Sequence, residues 1–243
     1  MLRGDPAHEP LILLEGLGGD LPGWRRNIPT LSESLFVIGY DFRGNGASDE
    51  PPEACTMETF VEDTTALLSA LGIERAHVYG QSFGGMVAQE LALRHPDRVR
   101  TLILAATHPG RRNAAIVRLK VPKHRPYLAM YSEAFAAEHP DHVAEDLRIG
   151  AMQPHHPLGH RRQWEAMADF DVYDRLGEIT APTLVLHGTE DHTVAPANAQ
   201  LLAERIPNAE LCWLPGAGHL YHSEQADASD AAVLRFVARH AHA

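Results

Sequence analysis

The chain has 243 residues, is 44% hydrophobic and carries a formal net charge of −11 at pH 7, a size and composition that suit one large α/β domain and a charge that argues against nucleic acid as its partner. No apolar run approaches the roughly 20 residues that span a bilayer, and MLRGDPAHEP lacks the apolar stretch of a secretory signal. Cys55 and Cys212 show no metal or redox spacing, so a reduced cytoplasmic setting without membrane association is expected.

Strands and helices alternate along the chain, the pattern of a mostly parallel sheet covered on both faces. Residues 11–14 are a short apolar run entering Glu15-Gly16-Leu17-Gly18-Gly19, as expected of a buried strand feeding a tight loop. A second strand at 35–40 closes in Asp41-Phe42-Arg43-Gly44-Asn45-Gly46. The next helix places Phe60, Thr64, Leu67, Leu68 and Leu71 on one face and ends at Gly72. Residues 76–80 form a strand, and a helix with Phe83, Met86, Val87, Ala88 and Leu91 follows and stops before Pro96. Residues 99–105 are another buried strand.

Residues 108–170 break this alternation. Helical patches (Tyr127, Leu128, Met130, Tyr131 and Phe135, then Trp164, Met167 and Phe170) sit between His-Pro-rich turns, with no strand. The expectation is a helical cap inserted over the carboxyl edge of the sheet, with 1–107 and 171–243 forming the core. Strands at 182–186 and 210–214 then resume the pattern, separated by a helix at 197–205 and followed by a last helix at 226–239. About six strands are expected.

The segment Val78-Tyr79-Gly80-Gln81-Ser82-Phe83-Gly84-Gly85 places G-x-S-x-G between a predicted strand and a predicted helix. A serine hydroxyl attacks a carbonyl only with an adjacent base, an exposed position and donors for the developing charge. A sharp strand-to-helix turn exposes it, glycines leave room for the turn, and the starting helix aims free N–H groups at Ser82. Reactive groups in parallel sheets gather past the carboxyl ends of the strands. Three candidates follow predicted strands there in the order Ser82, Asp191, His219, as nucleophile, acid and base. His219 would serve as general base, and Asp191 would fix its tautomer. Asp41 also follows a strand but, with Arg43, is expected to brace its Gly-rich loop, and the G-x-x-D spacing favours Asp191 over Glu190. His155, His156 and His160 lack a carboxylate or cysteine at ligand spacing, so no metal is expected.

Taken with Glu15–Gly19, Asp41–Ser48, Gly188-Thr189-Glu190-Asp191 and Gly218-His219, these motifs make the chain resemble an α/β-hydrolase over nearly its whole length. It is similar to the small-capped members typified by 3-oxoadipate enol-lactonase and related carboxylesterases. The resemblance implies an oxyanion hole built from the backbone N–H groups of Leu17 and Phe83, and the helix start gives Phe83 the same role independently. Two features depart from the family pattern. Glu15 stands where a histidine usually opens the oxyanion loop and is expected to point outward. The antiparallel hairpin that normally begins the sheet is expected to be missing, which would leave an edge strand open to pairing in a homodimer.

A serine at the elbow points to acyl transfer on a small ester, lactone or thioester without a cofactor. C–C bond hydrolysis, perhydrolysis and hydroxynitrile cleavage use the same triad. A slow-turnover, receptor-like ligand-binding protein is the reading from a different class. Trp24, Met130, Tyr131 and Trp164 are candidates to line an apolar substrate pocket, with packing of cap on core as the alternative for them. Arg111, Arg112, Arg118, Lys120, Lys123 and Arg125 form a basic stretch that would attract an anionic substrate or else form a solvated face.

Overall fold

A computed structural model of the chain describes residues 1–110, 127–154 and 156–241. Its sheet consists of β1 (Leu2–Arg3), β2 (Pro10–Leu14), β3 (Phe36–Gly39), β4 (Ala76–Gln81), β5 (Val99–Ala105), β6 (Thr183–Gly188) and β7 (Ala209–Leu214). The spatial order is β1-β3-β2-β4-β5-β6-β7, with every neighbouring pair parallel except β1 with β3.

The antiparallel element at the N-terminus is reduced to two residues, not lost. Leu2 and Arg3 pair with Ile38 and Val37, and the Met1 ammonium donates to Gly39 O at 2.7 Å. Two residues are too short for alternation to be read. They cover the β3 edge that was expected to lie open.

The helices are α1 (Ile28–Leu31), α2 (Met57–Ala70), α3 (Phe83–Arg94), α4 (Glu133–Glu138), α5 (Pro140–Gly150), α6 (Pro157–Ala168), α7 (Ala197–Arg205), α8 (Tyr221–Glu224) and α9 (Ala226–Arg239). Strand alternation divides the core in two, because successive side chains point to opposite faces. Ile12, Leu14, Val78, Leu102 and Leu104 face Phe60, Val87, Leu91 and Leu202 of α2, α3 and α7. Leu11, Leu13, Tyr79 and Ile103 face Trp24, Val233 and Phe236 on the other side, where α9 packs. Burying a Leu, Ile or Phe side chain contributes roughly 1.5–3 kcal/mol, so these two layers hold the strand ends in place. Helix α2 starts in a reciprocal Thr56–Thr59 capping box.

Between β5 and β6 the chain leaves the sheet for α4, α5 and α6, and the ends of this excursion meet in an antiparallel bridge between Gly110 and Asp171. Helix α5 occupies a stretch read as a His-Pro turn. Pro140 and Pro157 in fact start α5 and α6, at positions where no amide hydrogen is needed and the proline φ already suits a helix. The basic stretch 111–125 lies outside the described residues. No helix among those described is long and apolar enough to cross a membrane.

Candidate active site

Strand β4 ends at Gln81 and α3 begins at Phe83, which leaves Ser82 at the turn with φ 52° and ψ −112°. Holding a non-glycine residue there costs on the order of 1–3 kcal/mol. The surroundings sustain it. Ser82 N–H donates to Ala105 O at 2.9 Å, while Ser82 O accepts from Thr107 Oγ1 at 2.7 Å and from Met86 N–H at 3.2 Å. A Cβ on Gly80 would lie 2.3 Å from Gly84 O, and one on Gly84 would lie 2.1 Å from Leu14 O. The strand and the helix thus approach each other more closely than any side chain permits.

The pairing of Gly188 with Leu214 sets the loops after β6 and β7 side by side. Asp191 and His219 come from those loops, both are buried, and His219 Nδ1 lies 2.8 Å from Asp191 Oδ2. Asp191 Oδ1 accepts the Thr193 and Val194 N–H groups, each at 2.8 Å. His187 Nε2 donates to Val194 O at 2.9 Å and lies 3.2 Å from Asp191 Oδ2. Burial opposes charge on Asp191, but His219 and His187 outweigh it and hold the carboxyl well below the usual carboxylate range. An ionised Asp191 only accepts, so Nδ1 of His219 carries the proton and Nε2 presents a lone pair. That is the form in which an imidazole can take a proton from a hydroxyl. Gln81, next to Ser82 in the chain, reaches this Nε2 at 3.3 Å. Asp41 instead accepts the Leu21 and Ala47 N–H groups at 2.6 and 2.8 Å, and Glu190 is exposed.

The loop after β2 passes against the elbow: a Cβ on Gly16 would lie 3.5 Å from Ser82 Cβ. Gly16 N–H donates to Glu15 Oε1 at 2.9 Å, Gly18 N–H to Gln163 Oε1 at 2.8 Å and Gly19 N–H to Gly16 O at 3.1 Å. Between Gly16 and Gly19 the Leu17 N–H alone has no acceptor among the described residues. Phe83 N–H, at the first position of α3, has no helical acceptor either. Neither of the two amides that the resemblance singles out thus has an acceptor among the described residues.

Glu15 does not point outward. Alternation along β2 carries it to the face of Leu11 and Leu13, where it is 7% exposed and folds beneath the loop against Gly19 and Gly23. Its Oε2 has no hydrogen-bond partner among the described residues. Burial pushes its carboxyl up to about 8; the Gly16 N–H opposes the shift, and Asp20 and Asp41 add to it.

Helix α6 lies over this loop. Besides the Gln163 bond, His160 packs on Gly18, His156 Nε2 donates to Gly46 O at 3.0 Å and Gly159 N–H donates to Glu50 Oε1 at 2.7 Å. His155 lies outside the described residues. Segment 130–132 is fastened to the His219 loop. Leu220 N–H donates to Met130 O at 3.0 Å, and Glu224 accepts from Ser132 N–H, Ser132 Oγ and Gly218 N–H at 3.0, 2.8 and 3.0 Å. Among the pocket candidates, Trp24 is buried against Tyr79 and His222, with ring centroids 4.8 and 5.1 Å away. Tyr131 is buried and donates to Asp146 Oδ2 at 2.6 Å, and half-buried Met130 packs on the same cluster. Trp164 is 45% exposed and meets His160 edge-on. Gln81, Gln163 and Glu224 carry no spacing signature in the sequence. The one available signal was for His187, four residues before Asp191 at a strand end.

The family profile for the alpha/beta hydrolase fold matches residues 9–147 and 125–226. The "Putative carbamate hydrolase RutD" of Agrobacterium fabrum is 31% identical, over 97% of this chain and 95% of its own. The "3-oxoadipate enol-lactonase 2" of Acinetobacter baylyi is 30% identical, over 95% of this chain and 89% of its own. A solved structure of a hydrolase from Pseudomonas aeruginosa PA01 matches with a TM-score of 0.86 and 33% identity, covering 98% of this chain and 92% of that one.

Proposed function

The chain belongs to the alpha/beta hydrolase family, and on that premise we propose that it is a serine hydrolase cleaving a small ester, lactone or thioester through an acyl-enzyme. The observation that carries this reading is the buried His219–Asp191 pair at 2.8 Å, whose other ring nitrogen lies 3.3 Å from Gln81, the residue next to the strained Ser82. Ser82 Oγ attacks the carbonyl carbon as its proton passes to His219 Nε2. The carbonyl oxygen becomes an oxyanion received by the Leu17 and Phe83 N–H groups; one such donor contributes about 2.7–4 kcal/mol. The bond to the leaving group then breaks, His219 returns the proton to the departing atom, and the acyl group stays on Ser82. Water repeats the sequence, giving its proton to His219, which hands it back to Ser82 Oγ as the acid leaves. Asp191 keeps the tautomer and balances the imidazolium charge. The insertion that carries α4, α5 and α6 serves as a cap that selects the acyl group, and the basic residues in its sequence would favour an anionic one.

Carbamate hydrolysis is the second reading, favoured by the relative named for that activity. It uses the same attack on a carbonyl carbon. Steady-state hydrolysis of p-nitrophenyl acetate, a lactone, an acyl-thioester and a carbamate by the wild type and Ser82→Ala tests both. A loss of at least about 10³-fold in the variant supports the nucleophile assignment, and equal rates reject it. A burst of one equivalent without turnover would favour the ligand-binding class.

A further inference from the structure

Gln81 is 2% exposed at the last position of β4. Its Nε2 lies 3.3 Å from His219 Nε2 and 3.4 Å from His219 O. A carbonyl oxygen only accepts, so the NH2 end of the carboxamide faces His219. His219 Nδ1 donates to Asp191 Oδ2, so Nε2 of the neutral ring also only accepts. Gln81 thus offers its two amide hydrogens to two acceptors of one residue. Its Oε1 turns towards Gly16, where a Cβ would lie 2.3 Å away, so the glycine of the oxyanion loop makes room for this orientation.

We propose that Gln81 is a positioning residue for His219, holding the ring in its Nδ1–H tautomer and disfavouring a proton that stays on Nε2. The proposal rests on His219 being the base. With Nε2 protonated, its N–H would meet the amide N–H of Gln81 head-on. The lone pair that the Gln81 amide meets is the one that receives the Ser82 proton, so Gln81 must give way as that proton arrives and can return to Nε2 once it has been handed to the leaving group. Among the described residues, the charged and titratable groups near the ring include Asp191 and His187 from the β6 side, His222 on α8, which burial holds down to about 3, and Glu224, which binds Gly218 N–H. Gln81 faces the ring from β4 as a fixed neutral donor.

Gln81→Met keeps the length and removes the donor. Its kcat/KM profile should have an acidic limb displaced to higher pH, with about a three- to tenfold greater loss one pH unit below the wild-type midpoint than on the alkaline plateau. Gln81→Glu, close in shape and unable to donate when ionised, should displace the limb further in the same direction. A merely structural role would lower the whole profile without moving the limb. An independent measurement needs no turnover: ¹⁵N ring shifts of His219 across pH in Ser82→Ala, with and without Gln81→Met. Loss of the donor should move the Nε2 resonance towards that of a bare lone pair and let the ring gain its second proton at higher pH. Unmoved limbs in both variants, or unchanged ring shifts, would overturn the proposal. Hydrolysis that survives Ser82→Ala would overturn the serine mechanism instead, and the ring shifts would still decide the role of Gln81.

Discussion

Gln163 on α6 accepts the Gly18 N–H at 2.8 Å, so a helix of the insertion holds the loop that presents the Leu17 amide. Gln163 is fully buried, and the bond joins residues 145 positions apart. Gln163→Leu leaves the Gly18 N–H without its acceptor, a desolvation cost of about 1–3 kcal/mol, and frees the loop to shift. The expected result is a fall in kcat of roughly 10- to 100-fold with little change in KM, because an oxyanion donor acts in the transition state. Gln163→Glu keeps an acceptor and should restore most of the rate. Steady-state kinetics on the two variants checks this, and an unchanged kcat in Gln163→Leu would refute it.

The strand-end positions of Ser82, Asp191 and His219 are legible in the sequence because each follows an apolar run that periodicity identifies as a buried strand. Parallel sheets present the ends of such strands along one edge. What periodicity cannot carry is side-chain reach. Gln163 and Glu224 act through single bonds to backbone amides far away in the chain, and nothing in their local sequence records the partner. Glu15 departs from its expected outward position for a different reason. The period of two along β2 carries its side chain inward, to the face of Leu11 and Leu13. Leu2–Arg3 is not legible because a two-residue strand has no period at all.

Asp191→Asn should separate orientation from burial. The side-chain oxygen would be retained by the Thr193 and Val194 N–H groups, which turns the new NH2 towards His219 Nδ1. The ring must then accept at Nδ1 and carry its proton on Nε2, the wrong tautomer for taking one from Ser82. A loss of about 10³–10⁴-fold in kcat/KM is expected in a protein that still folds. Circular dichroism alongside hydrolysis kinetics measures both, and full activity in a folded variant would rule out Asp191 as the acid of the triad.

Asp146, 3% exposed at the side chain, gathers donors from Tyr131, Ser223, Arg25 and Arg26, which ties α5 to the segment before α1 and to α8. Burial opposes its charge, but Ser223, Tyr131 and Arg25 outweigh this and bring the carboxyl down to about 2. Asp146→Ala leaves these donors facing a gap and should cost on the order of 3 kcal/mol at neutral pH. A carboxyl lowered from its ordinary 3.8 stabilises the fold above that pH and loses the contribution as pH falls through about 2. The difference in Tm between wild type and variant should therefore be full at pH 7 and smaller at pH 2.5. A constant difference would show that packing, not charge, holds this junction.

Glu15 is the opposite case. Its carboxyl is raised from 4.5 to about 8, so the folded protein keeps a proton there that the unfolded chain has released. Stability should consequently fall as pH rises from 4.5 to about 8 and level off above it. Glu15→Gln stays neutral and retains an oxygen for the Gly16 N–H. Its advantage over wild type should be absent near pH 4, grow through this window and reach a few kcal/mol at pH 9. The same charge bears on turnover, since an ionised Glu15 bonded to Gly16 lies next to the Leu17 amide and opposes an oxyanion there. Wild-type kcat should decline as pH passes about 8, and Glu15→Gln should hold its rate. Thermal melts and rate profiles of both proteins from pH 4 to 9 measure the two effects together. Parallel melting curves and parallel alkaline limbs would mean that Glu15 is ionised throughout.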